Sequence, residues 1–380
     1  MSRRMILVAL LLLLVAPVSG TQVTAQAVDV PFLLTFVPNI QFSPLYVADA
    51  KGYYADAGLS LSVQYGDEPD GVDLIAADQI KFGMISGEQV IQARANGRPV
   101  VYVYEWFQQY PVGVVVPADS GIDSADALAG QRVGIPGRFG ASYTGLTALL
   151  SSAGLSESDV QLEPIGFNAP DVFCLGQLDA SVIYVNNEPL QIQQRAEAGE
   201  CGDVQGVDVI PVASVADMVS NGIVTNADTI ANNAELVQAV VGAFDRGLRD
   251  VIQNPAEAYL FSLDYVENLP ASEALIDALA EEAALQNDFL ASSPDRAAVR
   301  DSRDAMYERL ARQFSPDELI QMRVLLETIR LWDTDQLGVT DPQSWVLTEQ
   351  IMVDMGLATT SVELSAAYTN DFVPAVRAGG

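Results

Sequence analysis

The sequence contains no histidine, and only two of its 380 residues are lysines. Without histidine, a Ser-His-Asp or Cys-His triad, an imidazole metal ligand and a histidine general base are excluded. The two lysines, Lys51 and Lys81, make a lysine Schiff base an improbable mechanism. Positive charge is scarce in general, since the chain has 19 basic and 50 acidic residues and a formal net charge of −31. Such a surface repels phosphate backbones, so we expect no nucleic-acid partner.

The first residues have the pattern of an export signal. Arg3 and Arg4 precede an apolar run from Met5 to Val15, and Ala25–Ala27 has the small-x-small pattern of a signal-peptidase site. We therefore predict a signal peptide over residues 1–27 and a mature protein in the periplasm or at the outer face of the cell membrane. The alternative is an uncleaved anchor, although the run is shorter than the ~20 residues that span a bilayer.

Cysteine is also rare, and its two positions are far apart. Cys174 and Cys201 fit no close-spaced metal pattern, and we predict neither a metal site nor a cofactor. In an exported protein the pair forms either a disulfide or two buried free thiols. The sequence leaves both open.

Apolar residues, by contrast, are abundant. Hydrophobic residues make up 49% of the chain and charged residues 18%, which excludes disorder. From residue 28, short β-rich runs alternate with helical stretches, a pattern that predicts an α/β fold with mostly parallel sheets. Beyond residue 235 the chain is largely amphipathic helix.

We predict two lobes joined by two crossings of the chain. The first lobe spans 28–115 and returns over 216–260, the second spans 116–215, and a helical C-terminal extension over 261–380 packs on the first lobe. Two crossings make a hinge, and the gap between the lobes is the expected ligand cleft.

An ordered series of short segments carries a family resemblance. Pro38–Ala48 and Lys51–Tyr54 are followed by Gly58-Leu59, and Phe82–Met84 and Asn187-Glu188 lie further along. The series resembles ABC-importer solute-binding proteins of the branch that binds thiamine-pyrimidine precursors, which is related to the yeast thiamine pyrimidine synthase. Within that branch the chain is most similar to riboflavin-binding solute proteins. The resemblance implies the type II fold of periplasmic binding proteins, with two α/β lobes around a hinged cleft. It does not imply synthase activity, because that enzyme consumes a histidine of its own and this chain has none.

Polar and aromatic residues at predicted strand ends, crossings and helix starts are the candidates for ligand binding. Aromatic faces stack on planar heterocycles, and glutamine amides match the donor and acceptor edge of a pyrimidinedione. The candidates are Asn39, Gln41, Phe42, Glu88, Trp106, Gln108, Arg138, Tyr143, Tyr184, Asn187 and Glu188.

Each candidate also has a structural explanation. Turn chemistry accounts equally well for Asn39, and Trp106 fits a core position. Glu88 lies in the first turn of its predicted helix, where negative charge is favoured. The glycine-rich loop before Tyr143 lacks the spacing of a dinucleotide or P-loop site, so we expect it to offer the backbone N–H groups of a helix start.

The predicted function is capture of riboflavin by a monomer that passes it to an ABC permease and its ATPase subunits, with no chemical step. A thiamine pyrimidine precursor of the formylaminopyrimidine type is the alternative ligand. Two further alternatives are an exported hydrolase using Glu88 and Glu188 as a carboxylate pair, and an adaptor that docks a partner through its helical C-terminal region.

Overall fold

The computed structural model describes residues 27–358 and 360–375, and the predicted signal peptide lies almost entirely outside that range. The described residues form ten strands and fifteen α-helices. In chain order the strands are β1 (Val28–Leu34), β2 (Leu59–Tyr65), β3 (Phe82–Ser86), β4 (Val100–Glu105), β5 (Val112–Pro117), β6 (Arg132–Ile135), β7 (Gln161–Pro164), β8 (Ala180–Tyr184), β9 (Val207–Pro211) and β10 (Asn221–Asn226). The helices are α1 (Ser43–Ala50), α2 (Tyr53–Asp56), α3 (Glu68–Ala76), α4 (Gly87–Ala95), α5 (Gly140–Ser152), α6 (Ala169–Cys174), α7 (Glu188–Glu197), α8 (Ala227–Asn232), α9 (Ala234–Gln253), α10 (Pro255–Ser262), α11 (Glu273–Leu290), α12 (Arg296–Ala311), α13 (Pro316–Trp332), α14 (Pro342–Asp354) and α15 (Leu364–Ala367).

The strands form two separate sheets of five. The first has the order β2-β1-β3-β10-β4 and the second the order β7-β6-β8-β5-β9. In the first sheet only β10 runs against its neighbours, and in the second only β5 does. Mostly parallel sheets need crossover connections, which the helices between the strands provide. The predicted α/β fold of two lobes is confirmed.

The two antiparallel strands are those that follow the crossings between lobes. The chain leaves the first sheet after β4, passes through residues 106–111 and enters the second sheet as β5. It returns through residues 212–220 and re-enters the first sheet as β10. The predicted end of the first lobe at residue 115 falls inside β5 and is corrected to a point before Val112, because β5 hydrogen-bonds to β8 and β9 along its length.

The buried hydrophobic residues also form separate cores in the two lobes. The core of the first lobe, on the α1 and α9 face of its sheet, continues into α10–α13, while α14 and α15 pack on the opposite face around Trp345. The second lobe has its own core on each face of its sheet. The helical C-terminal region thus covers both faces of the first sheet. No helix of the described residues is long and apolar enough to cross a bilayer.

Cys174 and Cys201 form a disulfide in the second lobe. Cys174 ends α6, and Cys201 follows α7, so the bridge ties together two helices that lie on the same face of the second sheet. Of the two alternatives that the sequence left open, the structure contains the disulfide.

Candidate functional site

A cleft opens where the carboxyl ends of the strands of the two sheets face each other, the usual place for ligands in open α/β sheets. Together with its mouth, which is open to solvent, it occupies about 860 Å³. From the first lobe and the crossing it is lined by Thr35, Phe36, Gln41, Phe42, Glu68, Met84, Trp106, Phe107 and Asn221. From the second lobe it is lined by Pro136, Phe139, Gly140, Ala141, Ser142, Gly166, Phe167, Ala169, Val182, Ile183, Tyr184 and Glu188.

Aromatic side chains dominate this lining. The rings of Phe42 and Trp106 stack with their centroids 5.6 Å apart, and Phe107 meets Trp106 edge-on at 4.6 Å. Behind them Trp332 of α13 lies 5.5 Å from Trp106 and fixes its position. The C-terminal region therefore supports the aromatic wall of the first lobe.

The mouth of the cleft is bridged by a second aromatic contact. Phe36, just after β1, meets Phe167 of the second lobe edge-to-face with 4.8 Å between the ring centroids. Phe167 is 36% exposed, so this contact lies at the boundary with solvent. Phe36 also packs against the core of the first lobe, so the ring contact joins that core to the second lobe.

Amide and hydroxyl groups also connect the lobes. The Asn186 amide of the second lobe donates to Gln41 Oε1 of the first at 2.7 Å and to the Thr328 hydroxyl of α13 at 2.8 Å. The Tyr184 hydroxyl donates to Asn221 Oδ1 across the cleft at 2.9 Å. The lobes are therefore joined by hydrogen bonds as well as by the ring contact.

Glu68 is the carboxyl group that lies between the lobes. Its Oε1 accepts from the Ser86 backbone N–H (2.7 Å) and the Asn221 amide (3.3 Å), and its Oε2 accepts from the Ala141 N–H of α5 (3.0 Å). Burial raises the pKa of Glu68, while the two backbone N–H groups oppose that rise. All three of its hydrogen-bond partners are donors, which is the arrangement that suits an ionised carboxylate.

Glu88 is a neighbour of Glu68 inside the first lobe. It is fully buried, and burial, followed by the charge of Glu68, raises its pKa. The Tyr110 hydroxyl contacts both Glu88 Oε1 (3.1 Å) and the Ala141 carbonyl (3.0 Å). A hydroxyl has one proton, so both contacts are satisfied when Glu88 is protonated and donates to Tyr110.

Glu188 begins α7 at the cleft. Its Oε2 accepts from the Tyr184 backbone N–H at 2.9 Å, and Asn187 donates to its Oε1 at 3.3 Å. Burial raises the pKa of Glu188 to about 7, against the lowering effect of these hydrogen bonds. The side chain therefore titrates near neutral pH.

Comparison with known proteins agrees with this arrangement. A family model described as NMT1/THI5 like matches residues 39–258. The chain is 32% identical to the riboflavin-binding protein RibY of Chloroflexus aurantiacus over 94% of its own length and 89% of that protein.

The chain belongs to the NMT1/THI5-like family.

Two further relatives of the chain are more distant. The formylaminopyrimidine-binding protein of Halalkalibacterium halodurans is 28% identical over 60% of this chain and 68% of that protein. The 4-amino-5-hydroxymethyl-2-methylpyrimidine phosphate synthase of Legionella pneumophila is 25% identical over 60% of this chain and 71% of the enzyme. The family resemblance predicted from the sequence is confirmed.

A solved structure shares the fold of this NMT1/THI5-like protein. It is a periplasmic sulfonate-binding protein, SsuA, of Methylobacillus flagellatus, with a TM-score of 0.56 and 15% identity over 92% of this chain and 93% of that one. The predicted fold of periplasmic binding proteins is confirmed.

Five of the eleven residues predicted for the site of this NMT1/THI5-like protein line the cleft: Gln41, Phe42, Trp106, Tyr184 and Glu188. Their role in binding stays a prediction.

The other six lie elsewhere. Asn39 uses its side chain to accept from the Gln41 N–H and cap a 3₁₀ turn, as turn chemistry predicts. Gln108 donates to the Glu105 carbonyl outside the cleft. Asn187 lies behind Glu188, and Glu88 behind the lining.

Arg138 and Tyr143 are corrected most clearly. Both bind Glu157 on the outer side of α5, Arg138 through an ion pair at 2.7 Å and Tyr143 through its hydroxyl at 2.7 Å. The neighbouring Phe139 lines the cleft instead, because adjacent residues of the extended loop point in opposite directions. The helix start is at the site as predicted, but the two side chains chosen there are not.

Sequence reasoning missed several lining residues, above all Glu68, Phe139, Phe167 and Asn221. Glu68 follows the end of β2 as closely as Asn39 follows the end of β1. The strand-end rule, applied to the second strand as well as the first, would have found it. Nothing in the local sequence singled out Phe167 or Asn221.

Proposed function

We propose that this protein captures riboflavin outside the cytoplasm and delivers it to the permease and ATPase subunits of an ABC importer. The observation that carries the proposal is an inter-lobe cleft with aromatic rings on both sides: Phe42 and Trp106 on one, Phe139 and Tyr184 on the other. A flat isoalloxazine ring between two such walls gains stacking energy of about 1 kcal/mol per ring beyond its burial. The riboflavin-binding protein that is 32% identical over nearly the whole chain supports the same ligand.

The polar groups of the cleft suit an uncharged ligand. Gln41 has its carbonyl oxygen engaged by Asn186, so its amide nitrogen remains as a donor to a ring carbonyl. Ligand binding shifts the open–closed equilibrium only if the contacts differ between the two states. A ring that touches both walls meets this condition.

We propose further that the protein catalyses no reaction on its ligand. The hydrolase alternative required Glu88 and Glu188 to act together, and Glu88 is buried behind the lining rather than beside Glu188 in the cleft. Riboflavin recovered after incubation with the protein is expected to be chemically unchanged by mass spectrometry. A modified flavin would contradict this part of the proposal.

Titration of the purified protein with riboflavin tests the ligand directly. We expect a dissociation constant below about 10 μM by calorimetry, which corresponds to roughly 7 kcal/mol. We also expect quenching of tryptophan fluorescence, because Trp106 lies in the cleft wall. Trp106→Phe should remove part of this quenching, because Trp332 lies only 5.5 Å from Trp106 and is quenched as well. Trp345→Phe, an equally buried tryptophan on the far face of the first sheet, should keep it. No binding below 10 μM would refute the ligand.

A second candidate is a formylaminopyrimidine-type ligand. Glu68 and Glu188 line the cleft, and carboxylates accept hydrogen bonds from ring amino groups. The 28% identical formylaminopyrimidine-binding protein supports this candidate. Competition between riboflavin and a formylaminopyrimidine in one titration separates the two, since the true ligand binds more tightly by tenfold or more.

Export is proposed from the N-terminal pattern and from the periplasmic relatives. Secretion followed by mass determination of the mature protein tests it, and we expect cleavage after Ala27.

A further inference from the structure

The helix α5 of the second lobe begins against a carboxylate of the first lobe. Glu68 Oε2 accepts the Ala141 N–H, which belongs to the first turn of this thirteen-residue helix. The first N–H groups of a helix have no partner within it, and the helix dipole makes its N terminus favourable for negative charge. Glu68 supplies that charge from inside the protein.

The backbone of α5 is shaped to admit this carboxylate. Gly140 has a φ of +66°, a conformation that side chains rarely adopt. A Cβ atom at this position would overlap Glu68 Oε2, so any other residue would push the carboxylate away. The contact therefore depends on a glycine on one lobe and a buried glutamate on the other, where Glu68 is only 7% exposed.

The charged side chains that line the cleft around this contact are all acidic. Among the described residues, the lining holds two carboxyl groups, Glu68 and Glu188, and no lysine or arginine. The partners of Glu68 are two backbone N–H groups and the Asn221 amide, none of which carries a net charge. A negatively charged ligand group would meet two carboxyl groups and no cation, and the helix start that could hold it is already filled.

We propose that Glu68 is a specificity-determining residue, an internal anion that fills the N terminus of α5 and makes the cleft take an uncharged ring ligand in preference to its phosphorylated form. This inference rests on the proposed function, since the ligand class is that of riboflavin. A phosphate group brings a charge of −1.5 to −2 at neutral pH. It would have to displace Glu68 or bind beside it, and either costs affinity.

Titrations with riboflavin and riboflavin 5′-phosphate at fixed ionic strength test the proposal. In the wild-type protein we expect riboflavin to bind at least 100-fold more tightly. In Glu68→Gln, which removes the charge but keeps the size, we expect this ratio to fall at least tenfold. Glu105→Gln is the matched control, because Glu105 is also a buried carboxyl of the first lobe but does not line the cleft. Its ratio should equal that of the wild type.

A second measurement does not depend on a flavin. In Glu68→Ala the helix start is vacated, and formate, which has the same carboxylate group, is expected to raise the melting temperature of this variant by several degrees. The wild type and Glu105→Ala should show no such shift.

The outcomes separate the two proposals. If riboflavin binds but the phosphorylated form binds equally well, or the ratio is unchanged in Glu68→Gln, the role of Glu68 is refuted and the proposed function stands. If riboflavin does not bind, the proposed function is refuted. The formate experiment then decides whether Glu68 acts as an internal anion, and equal shifts in Glu68→Ala and Glu105→Ala would overturn that role.

Discussion

Glu105 ends β4, and the residue is only 8% exposed. Burial raises its pKa to about 8, and the negative charges of Asp217 and Asp341 act in the same direction. In the unfolded chain the group titrates near its ordinary value of about 4.3. The folded protein therefore holds this proton more tightly than the unfolded chain.

The sign of the pH effect follows from that difference. The stability contributed by protonated Glu105 is present below pH 4.3 and is lost as the pH rises toward 8. Glu105→Gln is neutral throughout, so its free energy of unfolding should exceed that of the wild type increasingly from pH 5 to pH 8, by on the order of 2 kcal/mol. Urea unfolding at both pH values measures this. A difference between the two proteins that does not change with pH would contradict the raised pKa.

At the residue scale the sequence predicted regions better than side chains. It placed a helix start at the cleft, but chose Arg138 and Tyr143 where the structure uses Phe139. The choice depends on a single residue step, and Glu157, which binds Arg138 and Tyr143, lies 19 and 14 residues further along the chain. Such long-range partners are not visible in the local pattern.

At the element scale, the packing of α1 against α9 depends on one glycine. Gly247 of α9 lies against the Pro44 carbonyl of α1, and a Cβ atom there would overlap that oxygen and lie 3.1 Å from the Ala48 nitrogen. The obstacle is backbone, which cannot rotate away as a side chain can. The two helices would have to move apart.

Gly247→Ala should therefore lower the free energy of unfolding by about 2–3 kcal/mol, the upper part of the range for overpacking. Gly242→Ala on the same helix is the matched control. A Cβ atom there meets no atom within 4 Å, so alanine should stabilise the helix by up to about 1 kcal/mol. If both variants changed the free energy of unfolding in the same direction, the close contact would be refuted.

The disulfide between Cys174 and Cys201 closes a separation of 27 residues. By the loop-entropy estimate, such a cross-link stabilises a domain by about 3.5 kcal/mol. The double variant Cys174→Ser with Cys201→Ser should lose that amount, measured by chemical unfolding. Wild-type protein under reducing conditions should match the double variant. Equal stability of oxidised and reduced wild type would show that the bridge contributes nothing.

Among the elements, α14 lacks a clear apolar stripe. Its buried residues Trp345, Thr348 and Met352 lie on one face, but Val346, Leu347 and Val353 are substantially exposed. Apolar residues on the outer side obscure the helical period on which such a prediction rests.

At the scale of the whole molecule, the mouth contact between Phe36 and Phe167 should control how long a ligand stays bound. An edge-to-face pair contributes about 0.5–1.5 kcal/mol. Phe167→Ala should therefore raise the dissociation rate of riboflavin by roughly two- to tenfold, measured by stopped-flow fluorescence. Because Phe167 is partly exposed, the melting temperature should change little.

Leu175→Ala is the control for that measurement. Leu175 is 70% exposed on the same lobe and does not line the cleft. Its dissociation rate should equal that of the wild type. An unchanged rate in Phe167→Ala would mean that the ring contact does not hold the lobes closed.

The two-lobed architecture was predictable because the alternation of elements repeats along the chain. The sequence did not predict that the C-terminal region covers both faces of the first sheet. This depends on the face of the sheet against which the helices that carry Trp332 and Trp345 pack. The contact between Glu68 and Ala141 joins residues 73 positions apart and was equally out of reach.

The strand that follows each crossing occupies an interior position in its sheet. β5 lies between β8 and β9, and β10 lies between β3 and β4, so each is hydrogen-bonded on both sides. Because these strands are held on both sides, neither sheet can rearrange its strands when the angle between the lobes changes. Rotation of one lobe against the other must then be absorbed by bond rotations within residues 106–111 and 212–220. We therefore expect each lobe to move as a rigid body, so that ligand binding changes the angle between the lobes and leaves the two sheets intact.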